Sequence, residues 1–311
     1  MIVQATFGQR QNPAAVSDKN IYIGMGGWDL SPFDGRFYPP SKTRGFRKLA
    51  YYSHFFDLVE INSTFYNTSF SGIQIRRWLD DVSENPRFIF TVKLYRGFTH
   101  TFDASHADAL AVGRLLNALA SAERFGGLLI QFPVSFSNAS EQREYLARLS
   151  SAFRPHRIFL EVRHKSWDTP AMHEFFREQD LHLVNVDLPR IGQHIAFHAL
   201  SWNGAAYFRM MGRNRDTWRK PWRMEEDGKH MISDRYHYSY TDPELRSIAV
   251  AVEKAGTISD SKFVVFHNDP EANSVYNGFR LRNLISPRST IRAPRRTITA
   301  FPSLAEFATP V

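Results

Sequence analysis

Short runs of β-branched and aromatic residues alternate along this chain with longer stretches whose apolar positions repeat at helical spacing. The short runs are residues 21–26, 58–62, 88–93, 127–132, 158–163, 181–187, 205–211 and 263–268. The amphipathic stretches are residues 44–56, 73–82, 104–124, 140–153, 170–179, 243–255 and 271–284. In residues 104–124, Leu110, Leu115, Leu116 and Leu119 fall on one helical face, as a helix lying on a sheet requires. Strand followed by helix, repeated around the chain, predicts an α/β fold: a TIM-like (β/α)8 barrel, with a doubly wound open sheet as the alternative. About 18 residues punctuated by Pro189, Gly192 and Gly204 separate the sixth and seventh runs, so the ring of helices is expected to be incomplete there. A long insertion, residues 212–241, follows the seventh strand and should overhang the mouth of the barrel. The expected organisation is an N-terminal arm (1–20), one barrel domain (21–286) and a basic, extended C-terminal tail (287–311).

Strand parity locates candidate chemistry. In Leu58-Val59-Glu60-Ile61-Asn62, alternation turns Val59 and Ile61 outward and Glu60 and Asn62 inward, and Glu161 and Arg163 repeat the pattern a hundred residues later. Lys93, Gln131, Asp187, Arg209, Asn268 and Asp269 also end strands. A buried carboxylate is costly unless paired, so Glu60 with Lys93 and Glu161 with Arg163 could be purely structural pairs. Convergence of so many polar strand ends at one mouth favours a ligand site instead. In that reading Glu60, Lys93, Glu161 and Asp187 carry catalysis, and Arg163 and Arg209 clamp an anion. Asn62, Gln131, Asn268, Asp269 and Tyr207 orient the substrate, with Trp28 and Tyr66 as a stacking wall.

Composition narrows the chemistry. The chain has 311 residues, no cysteine and a formal charge of +8. Absent cysteine removes disulfides, thiol nucleophiles and cysteine-held iron–sulfur clusters. No stretch approaches about 18 consecutive apolar residues, so no membrane span is expected, and a cytoplasmic location is the simplest expectation. Neither a nicotinamide nor a flavin signature is recognisable, because Gly24-Met25-Gly26-Gly27 runs into Trp28-Asp29-Leu30-Ser31-Pro32 instead of a helix. A divalent metal held by Glu60, Glu161, Asp187 and Asp269 is an open alternative. Six arginines and no acid fall in residues 278–300. Arg213, Arg215, Arg219, Lys220 and Arg223 surround Trp218 and Trp222, a combination suited to phosphates and unpaired bases.

Ile23-Gly24-Met25-Gly26-Gly27-Trp28, Phe37-Tyr38-Pro39, the block from Val59 to Tyr66, Gln131-Phe132-Pro133, Glu161-Val162-Arg163-His164 with Trp167, Tyr207-Phe208-Arg209 and Asn268-Asp269 resemble, in order, the domain-of-unknown-function family 72, also called YecE-like. The resemblance implies a TIM-barrel-like fold with a polar pocket at the strand ends and supplies no reaction. It departs from the family pattern where Met211 precedes Gly212 in place of His-Gly, and where His267 stands before Asn268 in place of a second asparagine. The leading expectation is a hydrolase, lyase or isomerase using acid–base chemistry on a small phosphorylated or other anionic ligand. The alternative is a nucleic-acid-binding protein, with or without metal-assisted phosphodiester cleavage, acting through Arg213, Arg215, Trp218, Arg219, Trp222 and the arginine-rich tail.

Overall fold

The computed structural model describes residues 20–40, 44–220, 223–224, 231–232, 234–257 and 260–311. Eight parallel strands close into a barrel: β1 (Ile21–Met25), β2 (Leu58–Ile61), β3 (Ile89–Lys93), β4 (Phe125–Gln131), β5 (Ile158–Glu161), β6 (Leu181–Asp187), β7 (Ala205–Met210) and β8 (Ser261–Phe266). β1 pairs with both β2 and β8, which closes the cylinder and rules out the open sheet. Helices α1 (Lys48–Ser53), α2 (Gly72–Asp81), α3 (His106–Ser121), α4 (Ser140–Ala152), α5 (Pro170–Glu178), α6 (Asp242–Lys254) and α7 (Asn273–Ile285) lie outside. No helix joins β6 to β7, as the proline and glycines there predict. Side-chain oxygens of Ser71, Ser105 and Thr169 cap α2, α3 and α5, so several helix starts are written locally in the sequence.

One glycine is required by closure. The β3–β4 register slips between Phe90 and Thr91, and Gly127, at φ +153°, sits opposite the slip. A Cβ there would lie 2.5 Å from the Phe159 ring, so only glycine allows the strands to approach. Inside the barrel, the rings of Phe159, Tyr207 and Phe263 meet with centroids 4.5 to 6.0 Å apart. They fill the interior and form an aromatic floor below the polar strand ends.

The C-terminal segment departs from expectation. Residues 287–311 do not trail away as an extended tail. Ile291–Ala293 (β9) pairs in parallel with Ala308–Pro310 (β10), and Arg295–Ala300 (α8) lies between them. Ile291, Ala293, Thr297 and Leu304 are buried, and Thr297 donates to the carbonyl of Arg36 at 3.0 Å. The arginines dominate the composition, but the apolar residues between them supply enough burial to hold the segment on the barrel. Arg288, Arg292 and Arg295 remain exposed. Residues 1–19 of the expected arm lie outside the described residues.

Candidate active site at the carboxyl end of the barrel

Strand register brings the inward-facing polar residues to one level. Glu60 is opposite Thr91, Gln131 opposite Glu161, and Arg209 lies between Val186 and Val265. Arg209 is the hub. Its Nε and Nη2 donate to the two oxygens of Glu60 at 3.0 and 2.8 Å, and its Nη1 donates to Glu161. Arg163 Nε donates to the other oxygen of Glu161 at 2.6 Å. Tyr207 donates its hydroxyl to Glu60 at 2.9 Å, and His267 Nε2 lies 3.2 Å from the same carboxylate. Above this network the Lys93 ammonium rests 4.0 Å from the centroid of the Phe65 ring, which also meets His100 edge-on at 4.9 Å.

The electrostatics divide these groups into two sets. Burial opposes charge on Glu60 and Glu161, but the guanidinium of Arg209 overcomes it, holding Glu60 far below the usual carboxylate range and, with Arg163, Glu161 at about 2. Carboxyls held so firmly ionised are poor acids and weak bases near neutral pH. Lys93 behaves differently. Burial and the positive charges of Arg209 and Arg163 lower its amine to about 7, against the opposing pull of Glu60 and Glu161. Burial, with Lys93 beside it, lowers His100 to about 4. Burial raises Asp269 to about 7, with the charge of Glu60 adding and the nearby Ser274 hydroxyl opposing. Its Oδ1 is buried without a hydrogen-bond partner, as is Oδ1 of Asn62, whose amide donates to the carbonyl of Gly26 at 2.7 Å. A Cβ on Gly26 would meet the His267 ring at 2.2 Å, so that glycine lets Asn62 and His267 share the rim.

The structure therefore brings together Glu60, Lys93, Glu161, Arg163, Arg209 and Asn62, and reassigns several others. Arg209 does not clamp an anion, because its donors are committed to Glu60, Glu161 and His267 and it is 1% exposed. Tyr207 is buried beneath the network and supports Glu60 rather than a ligand. Asp187 leaves the pocket altogether. It accepts from Arg213 at 2.8 Å and from the Tyr240 hydroxyl at 2.7 Å, fixing the segment after β7 to α6, where Arg213 also reaches Glu244. Register explains this: Val186 pairs with Arg209, so the adjacent Asp187 has the outward parity. Asn268 likewise turns outward, donating to the Tyr238 carbonyl and to Asn277 on α7. The proposed metal donor set is not assembled, since Glu60 and Glu161 are taken by Arg209 and Asp187 faces elsewhere. Gln131 donates to its neighbour's carbonyl at 2.8 Å. Trp28 packs against Trp78 at 5.5 Å, and Tyr66 is 67% exposed.

His267 and His100 were missed. His267 follows the inward residue Val265 by two positions, so parity marked it, but the neighbouring Asn268-Asp269 pair drew the reading. His100 lies just after the 3-10 turn Arg96–Phe98 that follows β3, and no periodic pattern places such a residue.

The nucleic-acid residues are only partly available. Trp218 is 7% exposed, wedged against His194 and Tyr236, and Arg213 is ion-paired. Arg215 and Arg219 are exposed, and Trp222 lies outside the described residues. No helix among the described residues is long and apolar enough to cross a membrane.

Comparison with known proteins agrees with the fold. The profile of the family described as "Protein of unknown function DUF72" matches residues 22–298. The UPF0759 protein YunF of Bacillus subtilis is 29% identical over 291 residues, covering 89% of this chain and 98% of its own. A crystal structure of a DUF72 family protein from Thermotoga maritima superimposes with a TM-score of 0.72 at 25% identity, covering 85% of this chain and 98% of that one. One from Enterococcus faecalis gives 0.70 at 24% identity, with 85% and 95% covered. With the family's profile spanning the whole barrel from β1 to α8, the chain belongs to the DUF72 family.

Proposed function

We propose that this protein is an enzyme that binds a small anionic substrate at the carboxyl end of its barrel and acts on it by proton transfer. The observation that carries the reading is the contrast between committed and uncommitted cations. Arg209 is saturated, whereas Arg163 uses only Nε within the network and Lys93 has no carboxylate within 4 Å among the described residues. A guanidinium with both terminal amino groups available beside an unpaired ammonium suits a phosphate or carboxylate. Lys93 and Asp269, each near 7, can gain and lose protons near neutral pH, and they take the acid–base roles first assigned to Glu60 and Glu161. Glu161 orients Arg163, and Glu60 holds Arg209 in place behind it. Thermal shift against inorganic phosphate and small phosphorylated and carboxylated compounds, each paired with its neutral analogue, tests the reading. Stabilisation by anions that disappears in Arg163→Gln is expected. Equal response of wild type and variant would refute it.

A second reading rests on one cleft. Arg190, Arg215 and Arg219 line an open depression of about 610 Å³ with Ile191, Gly192 and Asp216, and no described residue pairs with these three arginines. Such a cleft could track a phosphate backbone. Replacing all three by glutamine should abolish binding of a single-stranded oligonucleotide at low salt, and unchanged binding would remove this reading.

A further inference from the structure

Among the described residues, Lys93 is the only lysine that the barrel interior presents at its mouth, and its surroundings are unusual for a cation. It ends β3 with inward parity, is partly exposed, and lies over the face of Phe65 rather than against a carboxylate. The charges that act on it most strongly are Arg209 and Arg163, which disfavour its charge, and Glu60 and Glu161, tied to those arginines, which favour it; His267 and His100 face it as well. His100, which packs on the same ring, is a neutral imidazole next to it, with Nδ1 hydrogen-bonded to Thr99 at 2.8 Å. A lysine beside other cations and an apolar wall is the environment that makes an amine nucleophilic at neutral pH.

We propose that Lys93 is a nucleophile that forms an imine with a carbonyl compound carrying a carboxylate or phosphate group, the charged end of which is held by the free amino groups of Arg163. This deepens the proposed function by naming the substrate class, and it rests on that reading for the anion-binding half. The neutral amine attacks the carbonyl carbon, the C–N bond forms, and a proton passes from nitrogen to the former carbonyl oxygen. Loss of that oxygen as water leaves the C=N bond, so amine plus carbonyl gives imine plus water with no oxidant or reductant. His100, which shares the Phe65 ring with Lys93, would relay the proton between nitrogen and oxygen. The imine, once protonated, is an electron sink that would let Asp269 or water remove a proton from the adjacent carbon.

The test is reductive trapping on the full-length protein. Pyruvate and dihydroxyacetone phosphate are incubated separately with the protein at pH 7 in the presence of sodium cyanoborohydride, and adducts are mapped by peptide mass spectrometry. An amine at about 7 is neutral about a thousand times more often at that pH than an ordinary lysine. Lys93 should therefore label at least about ten times faster than the exposed Lys165 and Lys254 of the same molecule. Lys93→Arg should remove that adduct and leave the slow surface labelling. Labelling spread over lysines by exposure, or none at Lys93 with either compound, would overturn the imine. Inorganic phosphate separates the two levels: a phosphate-dependent thermal shift that persists without a Lys93 adduct refutes the imine and leaves the anion site standing. Loss of both refutes the proposed function as well.

Discussion

Replacing Glu161 by glutamine keeps the shape of the side chain and deletes one charge from between two guanidiniums. The carboxylate is fully buried, accepts from Arg209 and Arg163, and is held at about 2 against a usual value of 4.5. That difference makes the ionised form worth about 3 kcal/mol to the folded state at neutral pH. It agrees with the roughly 3 to 5 kcal/mol lost when one partner of a buried ion pair is removed. Arg209 keeps Glu60, so the loss should sit near the lower end. The sign with pH follows from a carboxyl lowered on folding: the contribution is complete above about pH 5 and fades as pH falls toward 2. Urea unfolding of wild type and Glu161→Gln at pH 7 and again near pH 3.5 measures it. A gap of about 3 kcal/mol at pH 7 that narrows at the lower pH is expected. A gap under about 1 kcal/mol, or one that does not change with pH, would refute the description of Glu161 as the bridge that holds two arginines together.

Lys93→Met should be more stable than wild type at pH 6, because burying the ammonium opposes folding, and the advantage should shrink as pH rises from 7 toward 10.5, the window in which the amine is neutral in the folded state but still charged in the unfolded one. Paired melts across that range check the sign, and an advantage that grows with pH would contradict it. Anion binding at the mouth should weaken as pH rises through about 7 and Lys93 loses its charge, which titration calorimetry with inorganic phosphate would follow. Asp187→Ala removes the acceptor of Arg213 and Tyr240 and should cost about 2 kcal/mol or more while leaving anion binding at the mouth intact; loss of binding in a folded variant would return Asp187 to the site. Deleting residues after Ser286 exposes the surface covered by Ile291, Ala293 and Leu304 and should lower the melting temperature by several degrees, whereas an unchanged melt would mean that the segment is an appendage.

Much of the architecture was legible because it is written in short-range patterns. The predicted strand over 181–187 is observed as Leu181–Asp187, and the predicted helix over 140–153 as Ser140–Ala152. Residue type, alternation and capping settle such elements within a few positions, with no knowledge of neighbours. Parity also placed Glu60, Lys93, Glu161, Arg163 and Arg209 at one mouth. Partnership was beyond the sequence. Glu60 pairs with Arg209, 149 residues away, instead of with Lys93, and that choice depends on how the barrel closes and how far each strand is staggered. The same closure decides that Lys93 is left with an aromatic ring instead of a carboxylate. It also decides that Asp187 faces α6, and that an arginine-rich segment folds because four of its less conspicuous residues are covered. Local pattern determines which way a side chain points; only the tertiary structure determines what waits for it there, because the charge that meets it comes from a distant part of the chain.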